Sequence, residues 1–216
     1  MQGNGEQSKK LPPELLEFMD VWGQRTGQFL ERVMVFIDGS YWYKNIVDQF
    51  GRRDADLAKV VARLVGRRRL VRVYYYIGKI ENPPDDYWKK MQQNQQRTLD
   101  AFDWLPYVEV RTGRLQFFQK GQMFGAREKG VDVALALDML RFALKDNYDT
   151  AILIAGDGDF AGIVQMVKDE GRKVEVVSFA GTRARALLQT CDWNLEVTDD
   201  LLDGCWRDKD SNKDKE

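Results

Sequence analysis

A short apolar run that ends abruptly in glycine and aspartate constrains the fold more than any other stretch of this chain. Residues 151–155 read Ala-Ile-Leu-Ile-Ala, and Gly156, Asp157, Gly158 and Asp159 follow directly. A run this short and apolar is typical of a strand buried on both faces of a parallel sheet. Ligands of open α/β sheets bind at the edge where such strands end. An Asx-turn followed by an aspartate helix cap explains the same four residues without any ligand.

The same pattern occurs earlier in the chain, where Asp38, Gly39 and Ser40 directly follow the apolar run 33–37. Apolar runs alternate with helical patterns throughout, which predicts an α/β fold with a mainly parallel sheet covered on both faces. The predicted main strands are 33–37, 70–77, 107–111, 151–155 and 173–179. Thr112-Gly113-Arg114 predicts a turn, after which residues 115–118 form a hairpin partner of the third strand.

Three segments are predicted. Residues 1–32 combine a disordered polar start with a helical appendage, which docks either on the main domain or on a second copy in a homodimer. Residues 33–206 form the main domain, and residues 207–216 form a mobile polar tail.

The composition excludes several classes of function. The 216 residues include no histidine, which removes histidine-based triads, histidine general bases and histidine-ligated zinc. The formal net charge is -1, so the whole chain creates no basic field for nucleic acid. Two cysteines without metal-ligand spacing, no leader and no apolar run of membrane-spanning length predict a cytoplasmic protein with no membrane partner.

Acidic residues stand at strand ends or helix starts in three segments: Asp38, Asp132, and the pair Asp157 and Asp159. Converging carboxylates without histidine suit Mg²⁺ or Mn²⁺, which prefer oxygen ligands. We therefore predict a carboxylate metal site in which one ion reaches Asp38, Asp132 and Asp157 together.

Four segments resemble the successive motifs of one known family. They read VMVFIDGSYWY, EKGVDVALALDML, AILIAGDGDFAGIVQMVKDEGRKVEVVSF and ALLQTCDWNLEVTDDL, and they span roughly residues 33 to 203 in the family's order. They are similar to the NYN domain family, LabA-like group, a branch of the PIN-like ribonucleases. The resemblance implies a three-layer α/β/α fold whose sheet has five parallel strands in the order 3-2-1-4-5. It also implies a metal-dependent endoribonuclease, with single-stranded RNA as the favoured substrate.

The resemblance also assigns roles to individual residues. Asp38, Asp132, Asp157 and Asp159 match the catalytic and metal-binding acids, and Lys129 matches a lysine that contacts phosphate. Asp138 matches a further family acid. However, it lies about 240° around the helix from Asp132, and an ion pair with Arg141 explains it equally well.

Three departures from the family pattern stand beside these matches. Tyr41 occupies the place of an asparagine, Ala155 that of a serine, and Gly158 that of a serine or threonine between the acids. Asn45, one helical turn after Tyr41, is a candidate replacement for the missing asparagine. The departures are the evidence for an alternative function, an RNA-binding or protein-interaction module on a degenerate nuclease fold. Every candidate carboxylate is present, so the nuclease stays the predicted function.

Further side chains near the predicted strand ends are candidates for substrate binding. Besides Lys129, the candidate substrate contacts are Ser40, Asn45, Arg111, Arg114 and Arg183.

Two other functions of acidic α/β proteins fit the sequence less well. A phosphoacceptor receiver domain fits poorly, because it needs an acidic pair at the first strand end and a lysine after the last strand. The acids alone leave a metal-dependent phosphatase open, although no DxDx(T/V) stretch follows the first strand.

Overall fold

Strands and helices alternate along a computed structural model that describes residues 30–121 and 123–207. From Glu31 onward the described residues belong to one unit. The predicted N-terminal appendage and C-terminal tail lie mostly outside the described residues. The seven strands of this unit are β1 Arg32–Asp38, β2 Arg69–Lys79, β3 Val108–Lys120, β4 Met123–Lys129, β5 Thr150–Ile154, β6 Lys173–Ser178 and β7 Trp193–Glu196.

Seven helices connect or follow these strands within the described residues, and a 3-10 turn at Gly158–Phe160 follows β5. Among the described residues, none of these helices combines the length and the apolar character needed to cross a bilayer. The helices are α1 Gly39–Phe50, α2 Leu57–Val65, α3 Asp86–Asp103, α4 Val131–Leu144, α5 Ala161–Asp169, α6 Arg185–Thr190 and α7 Asp199–Leu202.

The sheet has the strand order β4-β3-β2-β1-β5-β6-β7, and only the pairing of β3 with β4 is antiparallel. The prediction of five strands in the order 3-2-1-4-5 is therefore wrong for the sheet as a whole. The five predicted main strands occupy its centre, and β4 and β7 extend it at the two edges. The short β7 alternates half-buried and exposed residues, so it lacks the continuous apolar run by which the central strands were predicted.

Two apolar clusters, one on each face of the sheet, hold the helices in place. Val35 and Ile37 of β1 pack in the cluster that includes α1 and α2, whereas Phe36 packs in the cluster that includes α4 and α5. Successive side chains of a strand point to opposite faces, so one strand contributes to both clusters. The molecule consequently has the three layers, α/β/α, that the resemblance implied.

The predicted turn at 112–114 is wrong, because β3 continues through it to Lys120. The hairpin turns after Lys120 instead, where Gly121 has a φ of 63°. Gly113 lies in extended backbone, and a Cβ atom there would stand 2.5 Å from Cγ2 of Val131 and 2.9 Å from the carbonyl oxygen of Lys129. The glycine therefore serves close packing of the strand rather than a turn.

Candidate active site

The carboxyl ends of β1 and β5 meet at one edge of the sheet. The two strands are parallel neighbours, and Ile37 is in register with Ile154. Asp38 is the next residue after Ile37, and Asp157 follows Ile154 by three residues. The strand order thus brings two of the predicted site acids, Asp38 and Asp157, to the same sheet edge.

Asp38 joins the last residue of β1 to the first turn of α1. One of its carboxylate oxygens accepts a hydrogen bond of 3.0 Å from the backbone N–H of Tyr41 and caps the helix. Burial raises the pKa of Asp38 from 3.8 to about 6; the charges of Glu128 and Asp132 add to the rise, and the hydrogen bond from Tyr41 opposes it. The carboxyl group of Asp38 therefore titrates at a pH close to neutral.

Asp132 interacts electrostatically both with Asp38 and with the two acids that follow β5. It lies in the first turn of α4, and its pKa is raised by burial and by the charges of Asp157 and Asp159. Asp157 is exposed and accepts a hydrogen bond of 3.0 Å from the backbone N–H of Asp159, which is the turn contact of the alternative explanation that needs no ligand. Four predicted acids are thereby in one electrostatic neighbourhood.

Glu128 is the site residue that sequence analysis missed. It stands in the edge strand β4, and its Oε1 atom accepts hydrogen bonds from the backbone N–H of Gly78 and, at 2.7 Å, from Oγ of Ser40. A Cβ atom on Gly78 would lie 2.7 Å from that oxygen, so a side chain at this position would displace the Glu128 carboxylate. The signal in the sequence was the acid directly before Lys129, in the most specific motif. We call Asp38, Glu128, Asp132, Asp157 and Asp159 the acidic cluster.

Asp138 is engaged elsewhere on α4. It accepts a hydrogen bond of 3.0 Å from the hydroxyl of Tyr76 and lies 3.6 Å from Arg141 and 3.9 Å from Arg111. The ion pair with Arg141 is the structural role that the sequence also allowed. A metal role for Asp138 stays a prediction, and it would compete with these three partners.

Tyr41 and Asn45 have structural contacts. The hydroxyl of Tyr41 lies 3.0 Å from Oγ1 of Thr182 and accepts a hydrogen bond of 2.9 Å from the backbone N–H of Phe179. Asn45 is only 4% exposed, and its amide donates to the carbonyl of Tyr41 and accepts from Gln49. The position favours a structural role for Asn45 instead of the substrate contact predicted for it.

The predicted cationic contacts separate into paired and unpaired side chains. Arg183 forms an ion pair of 2.8 Å with Glu196, and Arg111 forms one of 2.9 Å with Glu109 and lies over the Tyr74 ring. Arg114 and Lys129 are exposed, face each other across β3 and β4, and form no ion pair with any described residue. Ser40, predicted to contact substrate, donates its hydroxyl to Glu128.

The donor set of the acidic cluster fits a hard divalent cation by its chemistry, since it consists of carboxylates without an ion-pair partner among the described residues. Within the same part of the chain, no three Asp, Glu, Cys or His side chains already stand in a metal-binding arrangement. The prediction that one ion reaches Asp38, Asp132 and Asp157 together is not met by these side-chain positions.

Comparison with known proteins decides the family. The model of the NYN domain matches residues 32–198, which is most of the chain. This chain belongs to the NYN domain family. NYN domains belong to the PIN-like nuclease superfamily, so the resemblance found in the sequence motifs is confirmed.

Two further comparisons concern a curated relative and a solved structure. The low amplitude and bright protein LabA of Synechococcus elongatus is 28% identical over 173 residues, covering 78% of this chain and 84% of LabA. A crystal structure of a protein of unknown function from Vibrio parahaemolyticus matches with a TM-score of 0.59 at 19% identity, covering 81% of this chain and 97% of that one. The second likeness establishes a shared fold.

Proposed function

We propose that this NYN domain is a metal-dependent endoribonuclease that hydrolyses phosphodiester bonds of single-stranded RNA at the acidic cluster. The observation that carries the proposal is a contrast between the two edges of the sheet. At the amino edge, Asp149 and Asp146 pair with Arg32 at 2.7 Å and 2.6 Å, and their pKa values are lowered by these hydrogen bonds.

At the carboxyl edge, none of the five acidic-cluster carboxylates forms an ion pair with a described residue. The pKa values of Asp38 and Asp132 are raised instead. Uncompensated carboxylates cost free energy in the folded protein unless a cation or a proton neutralises them. A fold that pairs its acids at one edge and leaves five without cations at the other is suited to bind a cation there.

Each acid has a part in the proposed chemistry. Asp132, Asp157 and Asp159 would hold Mg²⁺ or Mn²⁺, and Glu128, fixed by Ser40 and Gly78, would adjoin them. The bound ion would supply positive charge against the phosphate oxygens and lower the pKa of a water molecule. Asp38, with a pKa of about 6, is suited to accept a proton near neutral pH.

The experiment that tests this function compares cleavage by the parent and by Asp157→Asn. Labelled single-stranded RNA is incubated with Mn²⁺, Mg²⁺ or EDTA. Asparagine preserves the capping hydrogen bond to Asp159 and removes one charge, so we expect a normal fold and a rate reduced roughly a hundredfold or more. Asp103→Asn, an exposed acid at the far end of α3, removes the same charge and should cut at the parent rate.

A second function is favoured by Tyr41. The residue stands where the family has an asparagine, and its hydroxyl is committed to Thr182 and Phe179. The position at which other family members have an asparagine thus makes structural contacts here, and that change suits an RNA-binding module without cleavage. A parent protein that binds RNA but never cuts it with either metal would establish that function and refute the nuclease.

A further inference from the structure

Three cations from three neighbouring strands lie side by side at one end of the sheet. Lys79 of β2 is in register with Arg114 of β3, and Arg114 is in register with Lys129 of β4. One step further along the hairpin, Gln116 faces Arg127. Like charges directly opposite each other destabilise a sheet. The repulsion among these cations therefore destabilises the free protein, and a bound anionic partner would relieve it.

The four cations are not neutralised by the protein. Lys79, Arg114, Arg127 and Lys129 are exposed, and none of them forms an ion pair with a residue in the described part of the chain. Two neighbouring strand cations are paired: Arg72 of β2 and Arg111 of β3 each lie 2.9 Å from a carboxylate oxygen of Glu109. We call Lys79, Arg114, Arg127 and Lys129 the cationic row.

An aromatic ring extends the cationic row toward the tip of the hairpin. Phe118 is two residues beyond Gln116 on the same face of β3 and is 47% exposed. Its partner across the strands is Gly125, and a Cβ atom there would stand 2.6 Å from Cζ of Phe118. Glycine at this position lets the ring lie against the backbone of β4 with an open outer face.

The other face of the hairpin leads to the acidic cluster. Glu128 stands between Arg127 and Lys129 in the chain, and alternation directs its side chain to the opposite face, where it meets Ser40. A strand of nucleic acid on the cationic row would therefore lie beside the acidic cluster without facing its carboxylates directly.

We propose that the outer face of the β3–β4 hairpin is a binding platform for single-stranded RNA. The cationic row contacts successive phosphates, and an unpaired base stacks on Phe118. Unpaired cations beside an exposed aromatic ring are the combination that holds single strands, because every base has a face to stack and every nucleotide carries one phosphate. The choice of RNA rests on the proposed function; the platform itself does not.

The test measures binding of the full chain to a fluorescent single-stranded RNA in EDTA, so that cleavage plays no part. Arg114→Ala/Lys129→Ala should weaken binding and reduce the slope of log affinity against log salt by about 1.4, since each phosphate contact on a single strand contributes about 0.7. Arg67→Ala/Arg69→Ala removes the same charge from exposed residues at the opposite edge of the sheet and should leave the slope unchanged.

Phe118→Ala provides a readout that charge alone does not move. We expect about tenfold weaker binding with an unchanged salt slope, because stacking is lost and no phosphate contact is removed. Thermal melting checks that each variant is folded. Equal losses in the two double variants, or a parent that prefers duplex RNA to the single strand, would overturn the platform. Binding on the platform by a parent that never cuts would refute the nuclease alone.

Discussion

Asp38 combines a stabilising and a destabilising role in one carboxylate. It caps α1 through the backbone N–H of Tyr41, and it is half-buried beside the charges of Glu128 and Asp132. Capping favours the charged form, whereas burial disfavours it, and the pKa of about 6 shows that burial prevails. The residue thus costs the metal-free protein stability at neutral pH.

We predict that Asp38→Asn stabilises the metal-free protein in a pH-dependent way. Below the ordinary pKa of 3.8 the carboxyl is protonated in both states, and parent and variant should be about equally stable. As pH rises toward about 6, the unfolded chain ionises while the folded protein keeps its proton, so the parent loses stability. The shift of roughly two units corresponds to about 3 kcal/mol, an upper bound on the gain above pH 6.

Urea unfolding in EDTA at pH 4 and at pH 7.5 measures this difference. Asparagine caps helices about as well as aspartate, so the cap itself should contribute little to the change. A gain of equal size at both pH values would show that the effect comes from packing and not from the charge of Asp38.

At the residue scale, the sequence predicted the acids that follow buried strands. Asp38 and Asp157 were predictable because an apolar run identifies the strand and the acid directly follows it. Glu128 was not predictable in this way, because it comes from an exposed antiparallel edge strand whose register depends on the hairpin turn. Tyr41 was recognised as a departure, but only its hydrogen bonds to distant residues explain what it does.

At the element scale, the β3–β4 hairpin shows that a glycine in the sequence does not always mark a turn. Gly113 predicted a turn, yet it lies inside β3 because Val131 and the backbone of Lys129 approach it closely. The actual turn follows Lys120. That difference lengthens the hairpin by several residues on each strand and creates the platform face, which the predicted turn would have removed.

The junction after β5 is held by contacts between elements. A Cβ atom on Gly156 would overlap the carbonyl oxygen of Thr182 and the ring of Tyr41, and the carbonyl of Gly156 accepts a hydrogen bond of 3.0 Å from the backbone N–H of Ala184. The turn that carries Asp157 is thereby packed against the loop after β6. Its position depends on the absence of a side chain at residue 156.

We predict that Gly156→Ala destabilises the protein by roughly 1–3 kcal/mol, the usual cost of forcing an extra methyl group into a packed site. Gly162→Ala is the matched control: it lies in α5, and an added Cβ would meet no atom within 4 Å. That variant should gain about 0.5–1 kcal/mol, because alanine is the better helix former. Chemical unfolding of both variants checks the pair, and a neutral effect of Gly156→Ala would contradict the packing described here.

At the scale of the whole molecule, a net charge of -1 conceals strongly separated charges. The two groups meet at β4, where Glu128 of the acidic cluster and Lys129 of the cationic row are consecutive residues whose side chains point to opposite faces of the sheet. The composition argued against binding of long polyanions, since only the total was visible. The register of three strands shows how a nearly neutral chain presents a local cationic surface.

The separated acids predict that divalent cations stabilise the whole fold. Ligands that bind only the folded state raise its stability by about 2.7 kcal/mol at a hundredfold excess over Kd, which is roughly 5–10 °C in Tm for a chain of this size. We expect Mn²⁺ to raise Tm by this order at pH 7.5, relative to KCl of equal ionic strength. The rise should shrink at pH 5.5, where protons compete for carboxylates whose pKa values are raised.

The response should be localised to the acidic cluster. Asp132→Asn removes a carboxylate that is electrostatically coupled to Asp157 and Asp159, so Mn²⁺ should raise the Tm of this variant less than that of the parent. The control variant Asp103→Asn should respond like the parent. Because the side chains do not already form a metal-binding arrangement, part of the binding free energy must draw them together, and the affinity should be moderate. A parent whose Tm is indifferent to Mn²⁺ at pH 7.5 would exclude the cation from the proposed chemistry. The RNA platform, measured in EDTA, would stand unaffected by that result.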